Sequence, residues 1–150
     1  MPEVLTVTNE TTAVEGARAW VAAWQDGWAR HDPSVIAARY APDCRFRSWP
    51  FRDLEHGREA AQAYATQSFE EESRAEFTFG EPIVAADGRA AVEYRAVIWP
   101  PDGGEPTTIH GVSLLRVGPD GLIAEHRDTW TELGGDHGVA LVKEDQEATR

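Results

Sequence analysis

Near the start of the chain the apolar positions recur every three or four residues, with Ala17, Trp20, Val21, Trp24 and Trp28 on one stripe. That is the period of an amphipathic helix. Thr12 and Glu15 have the spacing of a capping box, so a helix over 13–30 is expected, with three indoles along one face. Aromatics on such a stripe are core residues first; one or two can also line a pocket, with the indole N–H as a polar handle. Asp32 and Pro33 suit the start of a short second helix that Pro42 stops. An alternating run over 43–49 reads as a short strand, 50–56 as a loop, and 58 to about 71 as a third helix, with Ala60, Ala61, Tyr64 and Ser68 at helical spacing. The acidic run Glu70, Glu71, Glu72 is unfavourable beside a helix C-terminus and reads as a frayed, solvated end.

From Arg74 onward the period is two. Phe77 and Phe79 alternate with polar residues, and Ala86-Asp87-Gly88 supplies a hairpin turn. The following strand sets Ala91, Glu93, Arg95, Val97 and Trp99 on one face and Val92, Tyr94, Ala96 and Ile98 on the other. Opposite charges two residues apart on one face must pair, reach solvent or line a polar cavity. A closing hairpin turns at Gly118-Pro119-Asp120-Gly121. If Val117 pairs with Leu122, then Ile109, Gly111, Ser113 and Leu115 share a face with Leu122, Ala124, His126, Asp128 and Trp130; a one-residue bulge at Gly121 brings His110 to that face instead. The register decides which histidine accompanies Asp128. Helices followed by antiparallel strands predict an α+β fold, with the helices on one face of the sheet. The expected domain spans 13–133, with flexible termini over 1–12 and 134–150.

Composition narrows the partners. The chain has 150 residues, 41% hydrophobic, with 14 basic against 26 acidic side chains and a formal charge of −12. This argues against nucleic acid and anionic membrane. Cys44 is the single cysteine, so no internal disulfide forms, and it reads as packing. No apolar run nears the roughly 18 residues of a membrane span, and the first residues lack signal-peptide features, so a cytoplasmic protein is expected. No metal motif is present, and no cofactor is expected. A Ser113, His126, Asp128 triad lacks a nucleophile elbow.

Several local runs carry a resemblance: Tyr40-Ala41-Pro42-Asp43, His56-Gly57-Arg58-Glu59-Ala60, and Gly121-Leu122-Ile123 leading into Arg127-Asp128-Thr129-Trp130. With the order of elements, these resemble the nuclear-transport-factor-2-like (NTF2-like) superfamily of cone-shaped α+β barrels. Its members include SnoaL-like polyketide cyclases, ketosteroid isomerases, scytalone dehydratases and limonene-epoxide hydrolases. The resemblance spans roughly 13–132. It implies that Asp128 is a general base on the last strand, helped by His110 on the strand before. The epoxide hydrolases' Arg-x-Asp run falls near Glu93-Tyr94-Arg95, where the order of charges is reversed.

The expected site is thus an aromatic-lined cone. Asp128, His110 and His126 are its catalytic candidates, and Trp20, Trp24, Tyr40, Trp49, Tyr64, Glu93, Arg95, Trp99 and Trp130 its substrate-binding candidates. A carboxylate there can take a proton from a carbon acid or a water. The expectation is a homodimer, built through the open sheet face, that binds a small, largely apolar molecule as a cofactor-independent acid–base enzyme of isomerase, cyclase or epoxide-hydrolase type. The alternative is a non-catalytic ligand-binding or accessory protein with the same pocket. An adaptor role is the least favoured, since nothing marks a partner groove.

Overall fold

A computed structural model describes residues 8–143. Helix α1 (Glu10–Ala29) starts one turn before the expected position, because the Asn9 side chain accepts the Thr12 N–H at 2.8 Å and caps it; asparagine outranks threonine as an N-cap. Asp32 caps α2 (Pro33–Ala37) through the Ser34 N–H. Strand β1 (Tyr40–Arg47) begins earlier than expected and runs through Pro42, which falls within a register irregularity between Tyr40 and Arg45. A two-residue strand β2 (Glu55–His56) precedes α3 (Arg58–Glu70) where a loop was expected. Strands β3 (Arg74–Phe79), β4 (Ile83–Val84), β5 (Arg89–Trp99), β6 (Thr107–Val117) and β7 (Ile123–Gly134) follow.

The seven strands form one sheet in the order β2-β1-β7-β6-β5-β3, with β4 also on β5. Pairing is antiparallel except between β1 and β7. The fold is α+β, its helices on one side of a mostly antiparallel sheet, and the sheet is not closed as a barrel. The core fills the space between α1 and the sheet, with Trp20, Tyr40, Phe46, Ile36 and Ile123 fully buried.

The hairpin register settles the histidine question. Ser113 pairs with Asp128 and Leu115 with His126, but at the turn the partners jump from Arg116–Glu125 to Val117–Ile123. Ala124 is the extra residue of this irregularity, so Ile123 rather than Leu122 turns to the core. From His126 on, the face is His126, Asp128 and Trp130, opposite Leu115, Ser113 and Gly111.

Of the expected tails, 1–12 and 134–150, residues 8–12 and 134–143 are described. Thr8 is buried and donates to the Val117 carbonyl at 2.6 Å, and residues 135–142 lie along the outer face of the sheet. There Thr108 Oγ1 donates to the Gly135 carbonyl, Arg95 holds Asp136 and the His137 carbonyl, and Glu93 accepts the Val142 N–H. Residues 1–7 and 144–150 lie outside the described range. Among the described residues no helix is long and apolar enough to cross a membrane.

Candidate active site

Residues one turn apart on a helix face the same way, and this places the Trp20, Trp24 and Trp28 rings in a row, with consecutive centroids 5.5 and 5.1 Å apart. Each indole N–H is engaged. Trp20 and Trp24 both donate to the Tyr40 hydroxyl, at 2.9 and 3.2 Å, and Trp28 shares its N–H between the two oxygens of Glu72, at 3.1 Å each.

Tyr40 opens β1 and is completely buried. Its oxygen lies 2.8 Å from His126 Nδ1, while His126 Nε2 lies 2.8 Å from Asp128 Oδ1. The donors fix the proton order. With two indole N–H groups already aimed at its oxygen, the Tyr40 hydroxyl gives its own proton to Nδ1. His126 is therefore the Nε2–H tautomer and donates to Asp128. Ser113, directly across the strand pair, donates to the same Oδ1 at 2.6 Å, and Tyr94 donates to Oδ2 at 3.2 Å. Every partner of this carboxyl is a donor, the arrangement of an ionised carboxylate that only accepts. Burial, and next the charge of Asp128, push the Tyr94 phenol well above its ordinary range, so it stays a proton-bearing donor. Burial raises Tyr40 too, against the opposing effect of the two indole donors.

Tyr94 approaches Asp128 past Gly111, its partner across β5 and β6. A Cβ at position 111 would lie 2.7 Å from the Tyr94 hydroxyl and 2.6 Å from the Thr129 carbonyl oxygen.

These groups border a cavity between the helices and the inner face of the sheet. Its empty space, counting the open mouth, is about 510 Å³. Trp20, Trp24, Trp28, Tyr64 and Ser68 line it from the helices. Phe77, Phe79, Tyr94, Ala96, Ile98, Ile109, Ser113, Asp128 and Trp130 line it from the sheet, and Glu72 from the link between α3 and β3. The walls are mostly aromatic, with polar groups at a few points, as in small-molecule sites generally.

The structure brings Asp128 together with His126, and sets Trp20, Trp24, Tyr64 and Trp130 around the cavity. Tyr40 stands one step behind, against His126. His110 is elsewhere: it lies across the sheet from the cavity and bonds Glu93 at 2.7 Å. Glu93 and Arg95 do not reach the cavity either, because their face of β5 meets the C-terminal segment. Trp99 packs under Arg74, 3.7 Å from its ring centre, and Trp49 is partly exposed beside Phe51 and Trp130. Missed as binding candidates were Trp28, Tyr94, Ser113 and Glu72. Trp28 and Ser113 were visible on the correct faces. Tyr94 was passed over because the charged pair Glu93 and Arg95 drew the choice to the opposite face of β5.

Among the described residues no group of three or more His, Cys, Asp or Glu side chains is arranged to hold a metal ion. The Ser113 hydroxyl bonds Asp128 and not His126, so the relay of a serine nucleophile is not formed.

The sequence profile of the SnoaL-like domain matches residues 17–126. The chain belongs to the SnoaL-like family. No curated protein matches it in sequence. Among solved structures, this SnoaL-like chain is similar to SalBIII, described as an epoxide hydrolase/cyclase-like enzyme in pyran ring formation in polyether salinomycin. The TM-score is 0.65 at 19% identity, over 76% of this chain and 89% of that one. It is also similar to Rv0760c from Mycobacterium tuberculosis, with a TM-score of 0.68 at 20% identity over 81% and 97% of the two chains. A third, an LEH-like epoxide hydrolase of M. tuberculosis, gives 0.57 at 17% identity over 78% and 83%. At these identities the likeness is one of fold.

Proposed function

We propose that this protein is a cofactor-independent acid–base enzyme that takes a small, largely apolar carbonyl or epoxide compound into the aromatic cavity, with Asp128 as the base. The observation that carries this reading is the asymmetry at its carboxylate. Oδ1 is held by Ser113 at 2.6 Å and His126 at 2.8 Å, while Oδ2 has Tyr94 alone, at 3.2 Å, on the cavity wall. Oδ2 thus keeps acceptor capacity to receive a proton from a carbon acid or an activated water. His126 does not line the cavity; it holds Asp128 in orientation, as Tyr40 holds it. A neighbour described as epoxide hydrolase/cyclase-like supports ring opening or closure as the reaction type.

One observation favours a second reading, a ligand-binding protein without turnover. A buried carboxylate with three donors is also what a purely structural network looks like. Titrating wild type and Asp128→Asn with ketones and epoxides separates the two, with binding followed by indole fluorescence and turnover by mass spectrometry. Quenching in both with turnover lost in the variant supports the enzyme. Quenching in both with no turnover in either leaves the binder.

A homodimer through the outer sheet face is part of the same proposal. Ile83 and Leu114 flank Ala91 on neighbouring strands and stand 59% and 49% exposed, an apolar row that a second copy would cover.

A further inference from the structure

Glu72 follows the C-terminus of α3, and its side chain is only 2% exposed. The Trp28 N–H, shared between its two oxygens, is a neutral donor. No Lys or Arg pairs with it among the described residues; the nearest cationic candidate is His31 Nε2 at 3.9 Å, on a side chain 37% exposed and stacked on Phe69. The carboxyl lines the cavity that Asp128 lines. The indole row joins the two: Trp20 and Trp24 end on the Tyr40 hydroxyl behind His126 and Asp128, and Trp28 ends on Glu72.

We propose that Glu72 is the acid of this cavity, donating a proton to an oxygen of a ligand that lies along the indole row with its reacting carbon at Asp128. The proposal rests on the acid–base reading of Asp128. Two environments in one cavity divide the labour. Asp128 has three donors and Glu72 has a single shared one. Burial, opposed by the Trp28 donor, raises the Glu72 carboxyl to about 7, so about half of it carries a proton at neutral pH. The negative end of α3 acts in the same direction. The titratable groups around it are His31 on the solvent side, Tyr64 on α3, and Asp128 across the cavity. Burial raises the Tyr64 phenol, and the charges of both carboxyls add to the effect.

For a ketone the step balances as follows. The C–H bond beside the carbonyl breaks, its proton goes to Asp128 Oδ2, and its electron pair becomes the C=C bond of the enol. The carbonyl π pair takes the Glu72 proton. Asp128 ends protonated and Glu72 ionised. His31, 3.9 Å away and open to solvent, marks the side from which Glu72 takes its proton back.

The test compares an aryl ketone with the matching aryl hydrocarbon, binding followed by indole fluorescence from pH 6 to pH 8. If only the protonated carboxyl engages the ketone oxygen, ketone affinity falls about tenfold across that range while hydrocarbon affinity stays level. In Glu72→Gln the ketone dependence disappears. In Trp28→Phe, which removes the one group lowering this carboxyl, the midpoint moves to higher pH. In Asp128→Asn a ketone dependence persists even though proton abstraction is lost, so failure of the base assignment and failure of this one give different results. Equal pH profiles for ketone and hydrocarbon overturn the proposal, as does a ketone dependence that survives in Glu72→Gln. If Glu72→Gln does not fold, an unmoved midpoint in Trp28→Phe overturns it.

Discussion

The hydroxyl of Tyr94 reaches Asp128 Oδ2, at 3.2 Å, because the residue paired with Tyr94 across β5 and β6 is Gly111. A methyl group there would meet the Tyr94 oxygen at 2.7 Å and the Thr129 carbonyl, a backbone atom that cannot step aside, at 2.6 Å. Gly111→Ala is expected to destabilise the protein by about 1–3 kcal/mol, the usual penalty of overpacking, and to pull Tyr94 off the carboxylate. Gly134→Ala on β7, where an added Cβ meets nothing within 4 Å, is the control and should stay within about 0.5 kcal/mol. Urea unfolding of both variants measures the difference.

Two tyrosines touch the same network with unequal consequences. Tyr40→Phe strands the N–H groups of Trp20 and Trp24 and removes the donor to His126 Nδ1. At about 1–3 kcal/mol for each buried group left unpaired, a loss of about 3 kcal/mol or more is expected. Tyr94→Phe removes one long bond from a carboxylate that keeps Ser113 and His126, for about 1 kcal/mol. Denaturation midpoints that place the two equal would show that the Tyr40 branch is not the anchor described.

Glu72 sets a pH dependence of stability whose sign is unusual for a carboxyl. Its folded value, about 7, lies above the ordinary value of 4.5. Between those values the folded state holds more protons than the unfolded one, so stability falls as pH rises. The contribution is full below the lower value and is lost as pH rises through about 7. The raised value corresponds to about 3 kcal/mol. Wild type should therefore lose stability relative to Glu72→Gln between pH 5 and pH 8, read by unfolding curves at each pH. A difference that stays flat would mean the carboxyl is hydrated in the folded protein.

On the outer face the sign reverses. The Val142 N–H, and next His110, hold the Glu93 carboxyl below its ordinary range, so its contribution is present above the unfolded value and is lost as pH falls through the folded one. Glu93→Gln should loosen residues 135–142, seen as faster hydrogen exchange at the Val142 amide, with the indole fluorescence of the cavity unchanged.

Much of this architecture could be read from the chain. The three-residue and four-residue spacing of Trp20, Trp24 and Trp28 and the alternation of β5 to β7 announced helix and hairpin, and Asp128 stood out on the last strand. What the pattern could not convey was register. One extra residue at Ala124 reverses which neighbours face inward at the turn, and the choice of His126 over His110 hangs on that face. Glu72 was hidden for a different reason. Three consecutive glutamates look like one solvated run, yet Glu70 and Glu71 are exposed while Glu72 turns inward where the chain leaves α3. Glu93 and Arg95 suggested a polar cavity because their partners, Asp136 and Val142, come from a segment with no strand or helix periodicity of its own. The two residues of β2 are too few to show any period.

The assignment of Asp128 as base is tested most directly by hydrogen exchange into ligand carbon. An aryl ketone incubated in heavy water with wild type, then with Asp128→Asn, is recovered and weighed by mass spectrometry, while indole quenching confirms that it binds both proteins. If Asp128 removes the proton, deuterium enters the carbon beside the carbonyl with wild type, and the rate falls by at least about a hundredfold in the variant, as for loss of a general base. Equal uptake with both proteins, or none with a ketone that demonstrably occupies the cavity, would contradict the assignment.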